Sequence, residues 1–367
     1  MNNQKTYLNN GLKKLSEILN HSGFKRVFVV CGKRSFSPIS LLIKDQLKDF
    51  STTYFNNFNG NPTISEVKDG INSFNSFNPD IIIAIGGGSI IDMAKLIKCL
   101  SGEKNIIEDI LKKNLTIKKE SEIPFLVMPT TAGSGSEATH FSVIYHEKSK
   151  YSLSSAYMLP DYVILDVELV KTMPDKIAYC SLFDALSQAV ESYWSKFSNK
   201  ISQKYSTMSI EIILAFFDSY ITNKNFQNFS KMIEASNLSG RAINITKTTA
   251  PHALSYALTS YFGVPHGNAV AILLPATLQV SFQKLGDKDK IKFKKLFALF
   301  KSSDLDDFCR IWLDLMRKCK LPTRGRDFGI TNSDINFISK KVNLERLKGH
   351  PNKLEESDLK EIIRKII

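Results

Sequence analysis

Two histidines, His252 and His266, stand 14 residues apart in the stretch "TTAPHALSYALTSYFGVPHGNAV", each directly after a proline, in a chain with only 6 histidines. Neutral imidazole is a good ligand for divalent metals, so the pair suits a metal site. Two hydrogen-bonded core histidines would look the same, and the residues alone leave both readings open. A second chemistry is written in glycine. Gly86, Gly87, Gly88 and Ser89 follow the apolar run "IIIAI" and precede "IIDMAKLIKCL", which places Asp92 in the first turn of the next segment. Without Cβ atoms these glycines let backbone N–H groups approach a pyrophosphate at a helix N-terminus, which predicts a phosphate-binding turn. In "MPTTAGSGSEAT", Thr130, Thr131, Gly133, Ser134, Gly135 and Ser136 form another small-residue loop. Its hydroxyls and amides suit ribose and phosphate oxygens, and open α/β sheets bind ligands at such strand ends.

The elements that must hold these loops alternate. "KRVFVVC" reads as a strand, "SPISLLIKDQL" as a helix, "STTYF" as a weaker strand, "ISEVKDGINSFNSF" as a helix, and "IIIAI" and "IPFLVM" as buried strands. That order predicts a parallel α/β sheet. "SVIYHEKSKYSLSSAYMLPDYVILD" suggests short strands around a turn, and it contributes Lys150 to the expected cofactor ligands. From Lys176 onward strand-like runs vanish and helical periodicity dominates, with Pro174 and Asp175 as helix-start signals. The expected domains are residues 1–175 and 176–367.

Composition narrows the function classes. The chain has 367 residues, 43% hydrophobic and 23% charged, as an ordinary globular protein does. It holds no apolar run of the roughly 18 residues a membrane helix needs, and its start lacks a signal-peptide layout, so a cytoplasmic protein is expected. The net charge of +13 comes from dispersed lysines with no dense arginine cluster. It reads as a solvated surface, with attraction of small anions second and nucleic acid not expected. Cys31, Cys99, Cys180, Cys309 and Cys319 are odd in number, with no CxxC pair, and are expected as buried thiols. His21, His140, His146 and His350 are expected at the surface or in loops, and core packing is expected of Tyr193, Trp194 and Phe262.

Four motifs in order, GGGSxxDxAK (Gly86 to Lys95), PTTxGxGSE (Pro129 to Glu137), DALxxAxE (Asp184 to Glu191) and a histidine pair ending in His266-Gly267, make the chain resemble the iron-containing, group III alcohol dehydrogenases over nearly its whole length. The resemblance implies a Rossmann-like nucleotide domain, an all-α metal-binding domain, and a divalent metal in the cleft between them. Asp184, His252 and His266 match its ligand positions, while Gln188, four residues after Asp184, stands where the family commonly has a further histidine and is expected as a weak fourth ligand through its amide oxygen. An amide there suits soft transition metals less well, and Fe2+ and Zn2+ are the leading ions. NADPH or NADH is the implied cofactor. After the first strand NAD-preferring relatives place an aspartate, whereas this chain has Gly32, Lys33, Arg34 and Ser35, which favours a 2′-phosphate.

The segment "KTTAPHALSY" looks like the phosphonoacetaldehyde reductase branch of that family, as does the tail "NLERLKGHPNKLEESDLKEII". Tyr256 stands where many relatives have another histidine. Lys247, Thr248, Thr249, Ser255 and Arg241 would bring a cation and hydroxyls to the substrate, and Lys247 and Tyr256 are the expected catalytic side chains. The expected partner is a small anionic aldehyde, with no nucleic acid or membrane, and the sequence leaves a homodimer open. An uncharged aldehyde, or a dehydroquinate-synthase-like lyase reaction, are the alternatives.

Overall fold

The structure is a computed structural model that describes residues 4–58, 60–102, 123–146, 149–342 and 344–367. It divides into two compact units, Met1–Met173 and Pro174–Ile367.

The first unit contains strands β1 (Lys5–Leu8), β2 (Arg26–Cys31), β3 (Ser51–Phe55), β4 (Ile81–Gly86), β5 (Phe125–Pro129), β6 (Phe141–His146), β7 (Ser149–Ser154) and β8 (Tyr162–Leu165). Six of them form an all-parallel sheet in the order β1-β8-β5-β4-β2-β3, and β6 and β7 pair as an antiparallel hairpin. β4 and β5 are buried at every position, which is why they read as continuous apolar runs rather than alternating ones. One face packs on the helices Ile64–Phe77 and Gly88–Leu100, with Phe28, Val30 and Ile82 against Val67, Phe74 and Ile97. Thr63 and Glu66 form the capping box that starts the first of these helices.

The chain runs outward from β2 to β3 and returns to place β4 on the other side of β2. The strand order therefore reverses between β2 and β4, whose last paired residues are Cys31 and Ile85. The turns Gly32–Ser35 and Gly86–Ser89 follow directly at the carboxyl ends of these two strands, the position at which open α/β sheets receive ligands. The expected helix over 37–47 is broken: a short helix Lys33–Phe36 and a 3-10 turn Ser37–Ile39 precede the helix Ser40–Gln46. Pro38 separates the first of these from the rest, because without an N–H it cannot bond back to the carbonyl of Arg34 and carry that helix onward.

The second unit has no strand among its described residues. Its long helices are Asp175–Trp194, Lys200–Thr222, Phe226–Thr246, Ala250–Phe262, His266–Phe282, Asp287–Leu299, Leu305–Lys318 and Glu356–Ile366. The helix Asp175–Trp194 lies at its centre, buried almost continuously from Leu182 to Trp194. Tyr193 and Trp194 are core residues, whereas Phe262 is half-buried. All five cysteines are free and buried.

One histidine departs from expectation. His350 lies in a turn but is only 2% exposed, with Nε2 hydrogen-bonded to Ser281 at 2.8 Å and its ring edge-on to Trp194. Burial, reinforced by the charge of Lys196, pushes its pKa down to about 3, so it is a neutral core residue. Sequence spacing carried no sign of this, because the contacts come from helices far away in the chain.

Candidate active site

Asp184, Gln188 and Glu191 occupy positions i, i+4 and i+7 of the helix Asp175–Trp194 and so share one face. Two further helices bring the histidines. Ala250–Phe262 carries Pro251 in its first turn, where a missing N–H is harmless, and His252 follows. His266 is the first residue of His266–Phe282. Gly267 permits its approach: a Cβ there would lie 1.9 Å from the carbonyl oxygen of Cys180 and 3.2 Å from the Cβ of Asp184.

The side chains converge. His252 Nε2 lies 3.2 Å from Asp184 Oδ1, and His266 Nε2 lies 3.8 Å from the same oxygen. One ligand atom from each of Asp184, His252 and His266 fits within 4.8 Å of the other two. The remaining ring nitrogens are held from behind. His252 Nδ1 donates to Glu191 Oε1 at 2.5 Å, and Glu191 Oε2 accepts from the Thr249 amide at 2.6 Å and the Thr249 hydroxyl at 2.8 Å. Trp194 Nε1 in turn donates to the Thr249 hydroxyl at 2.9 Å. Ser255 donates its proton to the His252 carbonyl at 2.8 Å, which leaves its oxygen to accept from His266 Nδ1 at 3.4 Å. Both Nε2 atoms are thereby turned toward one carboxylate, as hydrogen bonds to the far ring nitrogen turn metal-ligating histidines.

The electrostatics agree with that geometry. Burial pushes the His252 pKa down, but the charge of Glu191 and hydrogen bonds to Asp184 and Glu191 outweigh it and raise the value to about 9. Burial likewise works against ionised Asp184, yet His266, His252 and Gln188 hold it below its usual range. A buried place that holds a carboxylate ionised and an imidazole cationic is one that stabilises positive charge. Two imidazole nitrogens and a carboxylate oxygen converging there fit a divalent ion.

Around this cluster the other expected residues take different places. Gln188 touches Asp184, and its amide oxygen accepts from Ser239 at 3.1 Å. Tyr256 stacks on His266, with ring centroids 5.8 Å apart and planes 6° from parallel, and its hydroxyl accepts from Arg346 at 2.6 Å. Lys247 is exposed at the end of the helix Phe226–Thr246, and no contact among the described residues joins its side chain to the cluster. Its backbone is at φ 59° and ψ 176°, a region that only glycine enters freely. Arg241 bonds Asn237, one turn back on its own helix. An open pocket of about 280 Å3 adjoins the cluster, walled by Lys176, Cys180, Ser181, Asp184, His266 and Gly267 among others. Burial raises the Cys180 thiol to about 11, so it stays protonated there.

In the first unit the two small-residue loops meet. The Thr130 amide donates to the Gly86 carbonyl at 3.0 Å, and a Cβ on Gly88 would lie 2.8 Å from Ser134 Oγ. Beside Gly87, whose Cβ would make only ordinary contact with Thr131, the Thr130 hydroxyl is buried with no hydrogen-bond partner among the described residues. Such an orphan hydroxyl in a glycine cradle fits a nucleotide's phosphate or ribose oxygen. Asp92 and Ser136 build the loop instead: Ser136 Oγ donates to the Asp92 carboxylate at 2.7 Å, and the Val143 amide donates to it at 3.1 Å. Buried Lys95 binds the Ser136, Thr139 and Phe141 carbonyls at 2.7, 2.8 and 2.9 Å. Ser89 donates to Asn61 at 3.1 Å, and Ser35 to the Gly32 carbonyl at 3.4 Å. Lys33 and Arg34 are exposed and have no ion-pair partner among the described residues. Lys150 pairs with Tyr145 across the hairpin, while its side chain lies outside the described residues.

Sequence reasoning assigned no task to Glu191 or Arg346, and it placed the Thr249 hydroxyl at the substrate, whereas the amide and hydroxyl of Thr249 are bonded to Glu191. Glu191 carried a usable signal, since it falls two helical turns from Asp184 on the same face. Arg346 carried none, because only the folded chain brings it to Tyr256.

Comparison with known proteins accounts for both units. The family model for "Iron-containing alcohol dehydrogenase" matches residues 3–167, and that for "Fe-containing alcohol dehydrogenase family, C-terminal" matches residues 178–367. The NADPH-dependent butanol dehydrogenase of Clostridium saccharobutylicum is 29% identical over 313 residues, spanning 82% of this chain and 80% of that protein. A solved iron-containing alcohol dehydrogenase is 28% identical with a TM-score of 0.85, covering 99% of this chain and 97% of its own. The sulfoacetaldehyde reductase of Bifidobacterium kashiwanohense, solved with NAD+, has the same fold, with a TM-score of 0.90 at 23% identity and coverage of 100% and 97%. No helix among the described residues is long and apolar enough to cross a membrane. Metal-supporting chemistry in the helical unit and a nucleotide cradle in the sheet unit thus accompany two family matches, and the chain belongs to the iron-containing alcohol dehydrogenases, NAD(P)H- and metal-dependent oxidoreductases of alcohols and aldehydes.

Proposed function

We propose that this enzyme reduces a short aldehyde bearing an anionic end, phosphonoacetaldehyde to 2-hydroxyethylphosphonate in particular, with NADPH as the reductant. The observation that carries this reading is the pocket beside the cluster, whose wall includes the cation Lys176 and no carboxylate except Asp184. An anion entering it meets attraction and no fixed negative charge beyond the one that a metal ion neutralises. The branch-like segment Lys247–Tyr256 supports the same substrate class.

Asp184, His252 and His266 would hold the ion, with Gln188 bracing Asp184 and Glu191 and Ser255 setting the two imidazole tautomers. When bound, a divalent ion supplies Lewis acidity toward the carbonyl oxygen and a reduced nicotinamide supplies hydride to the carbonyl carbon. Tyr256, whose hydroxyl accepts a hydrogen bond from Arg346, would deliver a proton to the product oxygen. In the sheet unit the Gly86–Gly88 turn, Ser89, Thr130, Thr131 and Ser134 would receive the nucleotide, and Lys33 and Arg34 its 2′-phosphate.

Steady-state NADPH oxidation with phosphonoacetaldehyde, propanal and butanal tests the substrate class. A kcat/KM at least roughly tenfold higher for phosphonoacetaldehyde is expected, the size of one charge-assisted contact. Higher values for the uncharged aldehydes would instead align the enzyme with its butanol dehydrogenase relative. The cofactor preference has its own test: Lys33→Ser with Arg34→Ser raises the KM for NADPH roughly tenfold or more and leaves that for NADH nearly unchanged. Equal effects on both cofactors would remove the 2′-phosphate role.

A further inference from the structure

We infer that Arg346 binds the anionic end of the substrate, an inference that rests on the anionic-aldehyde reading above. Arg346 lies in the short 3-10 turn Leu344–Leu347, near the start of the C-terminal tail and about 80 residues beyond the histidine pair. Its guanidinium carbon sits 4.7 Å from the centroid of the Tyr256 ring, and Nη1 donates to the Tyr256 hydroxyl at 2.6 Å. The other terminal nitrogen, Nη2, is buried and has no hydrogen-bond partner among the described residues. Nor does any carboxylate among the described residues pair with this cation.

A buried guanidinium nitrogen without an acceptor is unfavourable, and so is a cation with no counter-charge beside it. An oxyanion removes both difficulties at once. The planar fork of arginine suits phosphonate, sulfonate or carboxylate, each of which offers two or more oxygens in one group. The position fits the reaction as well. Tyr256 is one helical turn from His252, about 6 Å of axial rise, and its ring stacks directly on His266. The cation is therefore one ring removed from the point on which His252 and His266 converge. A substrate whose acid group is one or two carbons from its carbonyl spans that interval, with its carbonyl at the cluster and its acid at Arg346. Tyr256, fixed between the two, would read the length of the spacer.

Arg346→Gln and Arg346→Lys in the metal-loaded enzyme test this. Kinetics with phosphonoacetaldehyde and propanal are compared, and binding of 2-hydroxyethylphosphonate is measured by calorimetry. With Arg346→Gln, kcat/KM for phosphonoacetaldehyde falls roughly tenfold to a hundredfold more than that for propanal, chiefly through KM, and the product Kd rises by a similar factor. Arg346→Lys, which keeps the charge and loses the fork, recovers part of both and carries the test if the glutamine variant folds poorly. A wild-type preference for phosphonoacetaldehyde that survives in both variants overturns the assignment of Arg346 alone. Equal losses on the two aldehydes with an unchanged product Kd also overturn it, leaving Arg346 as a support for Tyr256. A wild-type enzyme that prefers propanal and does not bind 2-hydroxyethylphosphonate overturns the anionic-aldehyde reading itself.

Discussion

His252→Ala leaves a chain that folds but purifies without its divalent ion, and aldehyde reduction falls on the order of a thousandfold or more, since Lewis-acid stabilisation amounts to several kcal/mol of the barrier. His266→Ala behaves in the same way. The two side chains direct Nε2 at one oxygen of Asp184, at 3.2 and 3.8 Å, so deleting either removes a third of the charged and imidazole donor set. Glu191→Gln provides the graded control. It keeps the volume and a hydrogen bond to His252 but removes the charge that sustains that imidazole, and metal affinity falls about tenfold to a hundredfold. Metal content by elemental analysis, with metal titration of the stripped proteins, checks all three. Full occupancy and wild-type turnover in His252→Ala would place the catalytic ion elsewhere.

Gly267→Ala produces the second large effect, through packing rather than coordination. The added Cβ would lie 1.9 Å from the Cys180 carbonyl oxygen, whereas ordinary contact begins at 3.4 Å. Backbone cannot rotate away as a side chain can, so the helix His266–Phe282 must move from the helix Asp175–Trp194 by about 1.5 Å at this point. Overpacking of this kind lowers stability by roughly 1–3 kcal/mol, and here the moving element carries His266. The expected result is a lower unfolding midpoint together with loss of bound metal, from a single methyl group. Thermal unfolding and metal analysis on one preparation check it; a variant with wild-type stability and full metal content would show that the helices accommodate the methyl without parting.

Much of this arrangement was legible in the sequence because it is encoded locally. The buried strands β4 and β5, the glycine turns that follow them and the helical second half all announce themselves within windows of some ten to twenty residues. Asp184, His252 and His266 were legible through motif order, and the folded chain brings them together. What escaped was set by contacts between distant segments. Glu191 stands inside a recognised motif, but its task depends on Thr249 and His252, which arrive from another helix. Nothing near His350 in the sequence signals Ser281 or Trp194, and nothing near Arg346 signals Tyr256. The role of Gly267 is equally hidden, since a glycine after a histidine says nothing about a carbonyl 87 residues earlier.

The edge of the sheet bears on how the chain is made. Strand β1 pairs in parallel with β8, so Lys5 meets Tyr162, 157 residues later. A ribosome adding 5–20 residues each second needs about 8–30 seconds to cover that distance, and during this time β1 has emerged but its partner does not yet exist. β5 likewise waits for β8 on one side. The first unit therefore closes late in synthesis, with two strand edges open until Leu165 emerges, and nascent chains arrested before that residue would present the surfaces that chaperones guard and that aggregation exploits.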